Sequence, residues 1–165
     1  MRSAVEPGDQ DTGLPDVIGR RFSTAVVLFH TALAEELGLN LTDYKCLELL
    51  MRRATATPGQ LSADAGLSSA TTTLVLDRLE KKGLVSRAPD PHDRRRTILH
   101  VSLTPELIAR FERATRGMRS GMLGLVNSFS EAEQAVIRRY LAGATHILDD
   151  SLRDLRSGKL NSTDR

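Results

Sequence analysis

Over most of this chain the apolar residues recur at helical spacing. Ile18, Phe22, Ala25, Phe29 and Leu33 follow Leu14 at steps of four and three. That places them on one stripe of an amphipathic helix, which the glycine at position 38 brings to a stop. "LTDYKCLELLMRR" predicts a second helix, with Thr42 as its N-cap and Leu47, Leu50 and Met51 turned inward. In "TPGQLSADAG", Thr57 caps, Pro58 takes the first helical position, Gln60 completes a capping box and Gly66 ends the helix. "LSSATTTLVLDRLEKKG" then predicts a helix from Ser68 to Lys82, with two lysines in its last turn and Gly83 in the left-handed position beyond. A short helix, a tight break and a longer amphipathic helix form a helix-turn-helix pattern.

After Gly83 the period changes. "LVSRA" and "TILHVSL" are rich in aliphatic and β-branched residues, and Leu99, Val101 and Leu103 alternate with His100 and Ser102. These segments predict a β-hairpin whose loop runs from Pro89 to Arg96, in other words a wing. Helical spacing returns at Thr104-Pro105-Glu106, with Ile108, Phe111, Ala114, Met118, Met122, Leu125 and Phe129 in one stripe. Ser130 and Glu133 make a second capping box and open a last helix bearing Ile137, Tyr140, Ala144, Leu148, Leu152 and Leu155. The expected fold is mainly α with a small β-hairpin: a winged helix-turn-helix lobe flanked by long N- and C-terminal dimerisation helices.

The corresponding organisation is a disordered arm over 1–13, a helical dimerisation region over 14–40 and 104–157, a winged lobe over 41–103 and a flexible tail over 158–165. The terminal stripes are too long to be covered by so small a lobe, so the expected assembly is a homodimer. Its contacts are assigned to Ile18, Phe22, Phe111, Ile137, Tyr140, Leu148 and Leu152.

Composition narrows the function. With 40% hydrophobic and 27% charged residues the chain can bury a core. It has no apolar run of membrane-spanning length, and its first residues are polar and acidic, so the expectation is a cytoplasmic protein with no membrane partner. The single cysteine, Cys46, excludes an intramolecular disulfide framework. His30, His92, His100 and His146 show no metal-ligand spacing to one another or to Cys46. No nucleophile motif is present, and neither an enzyme, a cofactor nor a metal is expected.

Charge is more informative by position than in sum. The whole chain has a formal net charge of only +2, but Arg78 to Arg96 holds seven cations and three anions, a net of +4. Three adjacent arginines at a hairpin tip repel one another unless a polyanion neutralises them. Double-stranded DNA fits: the second helix of a helix-turn-helix enters the major groove, and a slender cationic ribbon reaches flanking phosphates or the minor groove. Candidate DNA contacts are Ser68, Ser69, Thr71, Thr72 and Thr73 at the start of that helix, Arg78 further along it, and Arg87, Asp93, Arg94, Arg95 and Arg96 on the wing. Ser68 is also the expected N-cap. Thr72 falls on the stripe of Val75, Leu76 and Leu79 that packs on the lobe, and Leu74 belongs to neither face. Asp93 is expected to pair with Arg95 and fix its direction.

The run "LSSATTTLVLDRLEKKGLVSRAPDPHDRRRTILHVSLT", with "LTDYKCLELL" and "TPGQLSADAGLS" upstream, resembles the MarR family of bacterial transcription regulators. The resemblance rests on Asp77-Arg78-Leu79-Glu80, Gly83-Leu84-Val85, Asp90-x-x-Asp93-Arg94-Arg95 and Leu103-Thr104, and covers about half of the chain. It implies homodimers on pseudo-palindromic sites, commonly repressors that release DNA when a small-molecule effector binds. Pro105-Glu106-Leu107 departs from the turn many members place there. Two alternatives remain: a winged-helix module that meets an acidic protein, and a thiol-sensing regulator acting through Cys46.

Overall fold

The structure, a computed structural model, describes residues 14–53 and 55–157, with side chains from residue 19 onward. The arm expected over 1–13 and the tail over 158–165 lie outside the described residues. Six helices and one hairpin follow in the order α1 (Leu14–Glu36), α2 (Leu41–Met51), α3 (Pro58–Ala65), α4 (Ser69–Lys81), β1 (Val85–Pro89), β2 (Thr97–Val101), α5 (Pro105–Asn127) and α6 (Glu131–Ser157). Two compact units divide the chain, one up to Thr115 and the other from Arg116.

In the first unit, α2, α3, α4 and the hairpin close around one core. Leu47, Leu50, Leu61, Val75, Leu76, Leu79, Leu84, Val85 and Leu99 are all buried, joined by Leu33, Ala34, Leu37 and Leu39 from the end of α1 and its turn. Burial of each such leucine or valine is worth about 1.5–3 kcal/mol.

The element ends follow local chemistry. Gly38, Gly66 and Gly83 all adopt positive φ (70°, 57° and 70°), which lets the amides of Leu39, Leu67 and Leu84 close back onto Ala34, Ser62 and Leu79. Thr57 and Gln60 form the expected capping box, with contacts of 2.8 and 3.2 Å. The Ser130–Glu133 box is also present, its Ser130 amide donating to the Glu133 carboxylate at 2.8 Å. The Ser130 hydroxyl, which donates to the same carboxylate at 2.6 Å, followed by the Ser130 backbone, holds the Glu133 carboxyl below its usual range.

Two details correct the sequence reading. Asn40, not Thr42, caps α2, accepting from the Asp43 amide at 2.8 Å. Met51, expected inward, is 50% exposed at the end of that helix.

The hairpin pairs antiparallel in the register Val85↔Val101, Arg87↔Leu99, Pro89↔Thr97. Leu99 is buried while His100 and Ser102 face solvent, as the alternation requires. Ala56 adds an isolated bridge: its carbonyl accepts from the Leu99 amide at 2.8 Å, fastening the wing base to the segment before α3.

The stripe assigned to α5 divides. Leu107 and Phe111 are half-buried against the core of the first unit, and Thr115 is buried. Phe111, assigned to dimerisation, therefore already packs within its own unit. In the second unit the apolar residues stay open: Met122, Leu125, Tyr140, Leu148 and Leu155 are exposed, and α6 has no buried residue. Among the described residues no single helix is long and apolar enough to cross a membrane.

Candidate nucleic-acid interface

Helix α4 begins at Ser68, whose hydroxyl accepts from the Thr71 amide at 3.1 Å, so it is the N-cap its position predicts. The helix buries Thr72, Val75, Leu76 and Leu79 on one face. Thr72 is thereby corrected as a DNA contact: it is 1% exposed, and its hydroxyl donates to the Ser68 carbonyl at 2.9 Å. Ser69, Thr71 and Thr73 remain exposed. The Thr73 hydroxyl donates to the Ser69 carbonyl at 3.0 Å, and Thr71 shares a 2.9 Å contact with the Ser68 hydroxyl. Of these exposed hydroxyls, that of Ser69 has no intramolecular partner among the described residues.

Two of the predicted cations are held by carboxylates of their own lobe. Arg78 makes a bidentate pair with Asp43, Nε to Oδ2 at 2.9 Å and a terminal nitrogen to Oδ1 at 2.6 Å. Asp43 is 2% exposed and also accepts from the Asn40 amide side chain at 2.9 Å, so three hydrogen bonds compensate a buried charge. The pair fastens α4 to α2, and Arg78 positions the helix rather than offering a free guanidinium. The sequence reading missed Asp43, although it lies four and seven residues before Leu47 and Leu50 on an apolar stripe. A carboxylate there requires a cationic partner.

Arg87 is the second such cation. Its guanidinium donates to Asp77 from both terminal nitrogens at 2.9 Å and also pairs with Glu80, which accepts the Arg87 amide at 3.0 Å through its other oxygen. The first strand of the wing is therefore clamped to the exposed flank of α4. Wing and helix share one set of ion pairs.

What remains free is at the tip. Arg94, Arg95 and Arg96 are exposed and make no ion pair among the described residues; nor do Lys81 and Lys82 at the end of α4. Asp93 does not pair with the Arg95 guanidinium as expected. Its carboxylate accepts the Arg95 amide at 3.1 Å and its carbonyl accepts the Arg96 amide at 2.8 Å. Asp90 does the same for the His92 amide at 2.8 Å, while its own amide donates to the Arg96 carbonyl at 2.9 Å. The two aspartates fold the loop through its backbone and leave the arginine side chains available.

Cys46 is 1% exposed, and burial, followed by the nearby Asp43 charge, pushes its thiol up to about 11. Reactive thiols are partly exposed with lowered pKa, so this geometry gives thiol sensing no support. His30 stacks near Phe29 and Tyr44 at 5.6 and 5.9 Å, and burial, then Lys45, lowers its pKa. Among the described residues no cluster of three metal-ligating side chains exists.

Comparison with known proteins agrees with this arrangement. The sequence pattern of the MarR family matches residues 39–97, from the cap of α2 to the start of β2. The chain is 35% identical to the HTH-type transcriptional regulator YcgE of Bacillus subtilis (strain 168), over 83% of this chain and 88% of that protein. A mutant MepR from a multidrug-resistant S. aureus clinical isolate superposes with a TM-score of 0.65 at 20% identity, over 83% of this chain and 99% of that one. Another S. aureus MepR mutant, solved bound to an oligodeoxyribonucleotide, gives 0.53 at 22% identity, over 80% and 96%. The match to YcgE spans both units and the family pattern spans the helix-turn-helix and wing: the chain belongs to the MarR family of transcription regulators.

Proposed function

We propose that two copies of this chain bind a pseudo-palindromic site on double-stranded DNA, each laying α4 in the major groove and the Arg94–Arg96 tip against flanking phosphates or the minor groove. The observation that carries the reading is the free arginine triplet. It sits on a backbone-folded loop that Arg87 clamps to the flank of α4. Ser69 supplies a polar contact from α4, Lys81 and Lys82 add positive charge at its far end, and the free amides at the helix start suit a phosphate. Homodimerisation is supported by the uncovered apolar rows, including Phe22 at 54%, Tyr140 at 61% and Leu148 at 68% exposure. Ile137 and Leu152 lie in the same α6 row; Ile18 lies in α1, with its side chain outside the described set.

Repression, release by a small-molecule effector and a cytoplasmic, bacterial setting are the finer parts of this reading, and they rest on what is typical of the family. The family and YcgE are transcription regulators, so the chain is not an enzyme. The rival use of the wing, contact with an acidic protein, is separated by retention on random-sequence duplex. DNA binding requires that log affinity fall with log salt by about 0.9 per phosphate contacted. A selection from random duplexes should then return a twofold-symmetric site. Indifference to every duplex at low salt would remove the proposal.

A further inference from the structure

Helix α4 carries one large apolar residue that the lobe does not use. Leu74 is 59% exposed, whereas Val75, Leu76 and Leu79 on the same helix are 0–1% exposed. At 3.6 residues per turn, Ala70, Leu74 and Lys81 lie in a row opposite the Thr72–Val75–Leu76–Leu79 face, the part of the helix that reaches deepest into a groove. Ala70 is exposed as well.

Two polar side chains that border this row, Thr73 and Arg78, are engaged within the lobe. Thr73 donates its hydroxyl proton to the Ser69 carbonyl, which leaves a methyl group and no free donor. Asp77 lies in the same row one turn beyond Leu74; Arg87 holds its Oδ1 at 2.9 Å, and its side chain is 53% exposed. Arg78 is turned onto Asp43. The first two turns of the outward row are thus apolar, at Ala70 and Leu74, with Asp77 and Lys81 beyond them. Apolar side chains on the outward face of the first two turns, where a recognition helix meets base edges, match one feature of the duplex. The C5-methyl of thymine is the apolar group that the base edges present in the major groove.

We infer that Ala70, Leu74 and the methyl of Thr73 form a methyl-reading surface that selects thymine at defined positions of each half-site. The inference rests on the placement of α4 in the major groove and goes beyond it in naming what is read and by which side chains.

The test begins with selection of bound sites from a random duplex pool. The enriched site is then synthesised in two forms, one with thymine and one with deoxyuracil at the thymines of both half-sites. Deoxyuracil removes only the methyl group. The full-length protein should bind the uracil duplex about tenfold more weakly, from about threefold per methyl contact. Leu74→Ala should bring the two affinities within about twofold of each other, while Leu74→Met, which keeps an apolar tip, should retain the preference. Equal binding of both duplexes by the natural protein, half-sites without thymine, or an undiminished preference in Leu74→Ala each overturns the inference while leaving DNA binding intact. Failure to enrich any duplex removes the DNA-binding proposal, and the inference with it.

Discussion

The two units bury their apolar residues to opposite extents. In the winged lobe, Leu61 and Leu76 are each 1% exposed. In α6, Ile147 and Leu148 sit at 65% and 68%. Both regions draw on similar residue types at helical spacing, so composition does not distinguish them. Topology does. Three short helices and a hairpin can close on themselves, because their connections are tight and each apolar face meets another. A helix of 27 residues presents an apolar row that needs an equally long partner. The lobe can thus keep its shape with few contacts outside it, while the long helices leave apolar rows that the proposed second copy would cover.

The largest effect should come from charging the open row. Tyr140→Asp combined with Leu148→Asp would place carboxylates in the proposed helical interface, where desolvation penalises them heavily. Self-association should weaken roughly a thousandfold or more, read by light scattering or analytical ultracentrifugation. A dimer of unchanged affinity would mean that the exposed row is not what joins the copies. Next comes the lobe's buried pair. Arg78→Ala strands the Asp43 charge among apolar neighbours, and loss of one partner in such a pair costs about 3–5 kcal/mol. Because the Arg78 side chain is itself 45% exposed, the lower end is expected. A thermal melt should fall by about 6–12 °C. A shift below about 2 °C would show that Asp43 is satisfied by other means.

The sequence was most legible where local chemistry decides. The Thr57–Gln60 and Ser130–Glu133 boxes, the Gly66 and Gly83 stops and the alternation of Leu99 and Val101 are all set within four residues of one another, and all formed. What the sequence does not show is set across space. Periodicity gives Arg78 and Arg87 a direction on a helix or strand and not a partner. Asp43 is 35 residues from Arg78, and Asp77 and Glu80 lie across a turn from Arg87. Phe111 is a like case: its stripe is visible in the sequence, but not the core that its first turns pack against. At Thr72 the same periodicity did indicate burial, and that reading was the sounder one.

A smaller effect separates the two roles of arginine on the wing. Arg95→Ala removes an unpaired exposed side chain, so stability should change by no more than about 0.5 kcal/mol. DNA affinity should fall broadly across sequences, and the salt slope by about 1 per subunit. Arg87→Ala releases the clamp between β1 and α4. It should lower affinity for the selected site more than for random duplex, since the loss is of alignment rather than of a free charge. If both variants lower affinity with the same slope change, Arg87 contacts phosphate after all.

The smallest effect tests how closed the lobe is. The folded thiol of Cys46 is pushed up to about 11 from an ordinary value of 9.0, and burial is the leading cause. A raised folded pKa means that the native state holds its proton where the unfolded chain has lost it. The stability this contributes is fully present below about pH 9 and disappears as pH rises through about 11. Cys46→Ala should therefore flatten part of the alkaline decline in thermal stability and leave the neutral-pH melt only slightly lower. On the natural protein, an aromatic disulfide reagent at pH 8 should react with the folded chain at least about a hundredfold more slowly than in denaturant, because both exposure and thiolate are lacking. Peroxide at pH 7 should leave affinity for the selected duplex unchanged within about twofold. Fast labelling of the folded protein at pH 8 would mean that the lobe opens around α2, and the contrast between a closed lobe and open helices would then be one of degree.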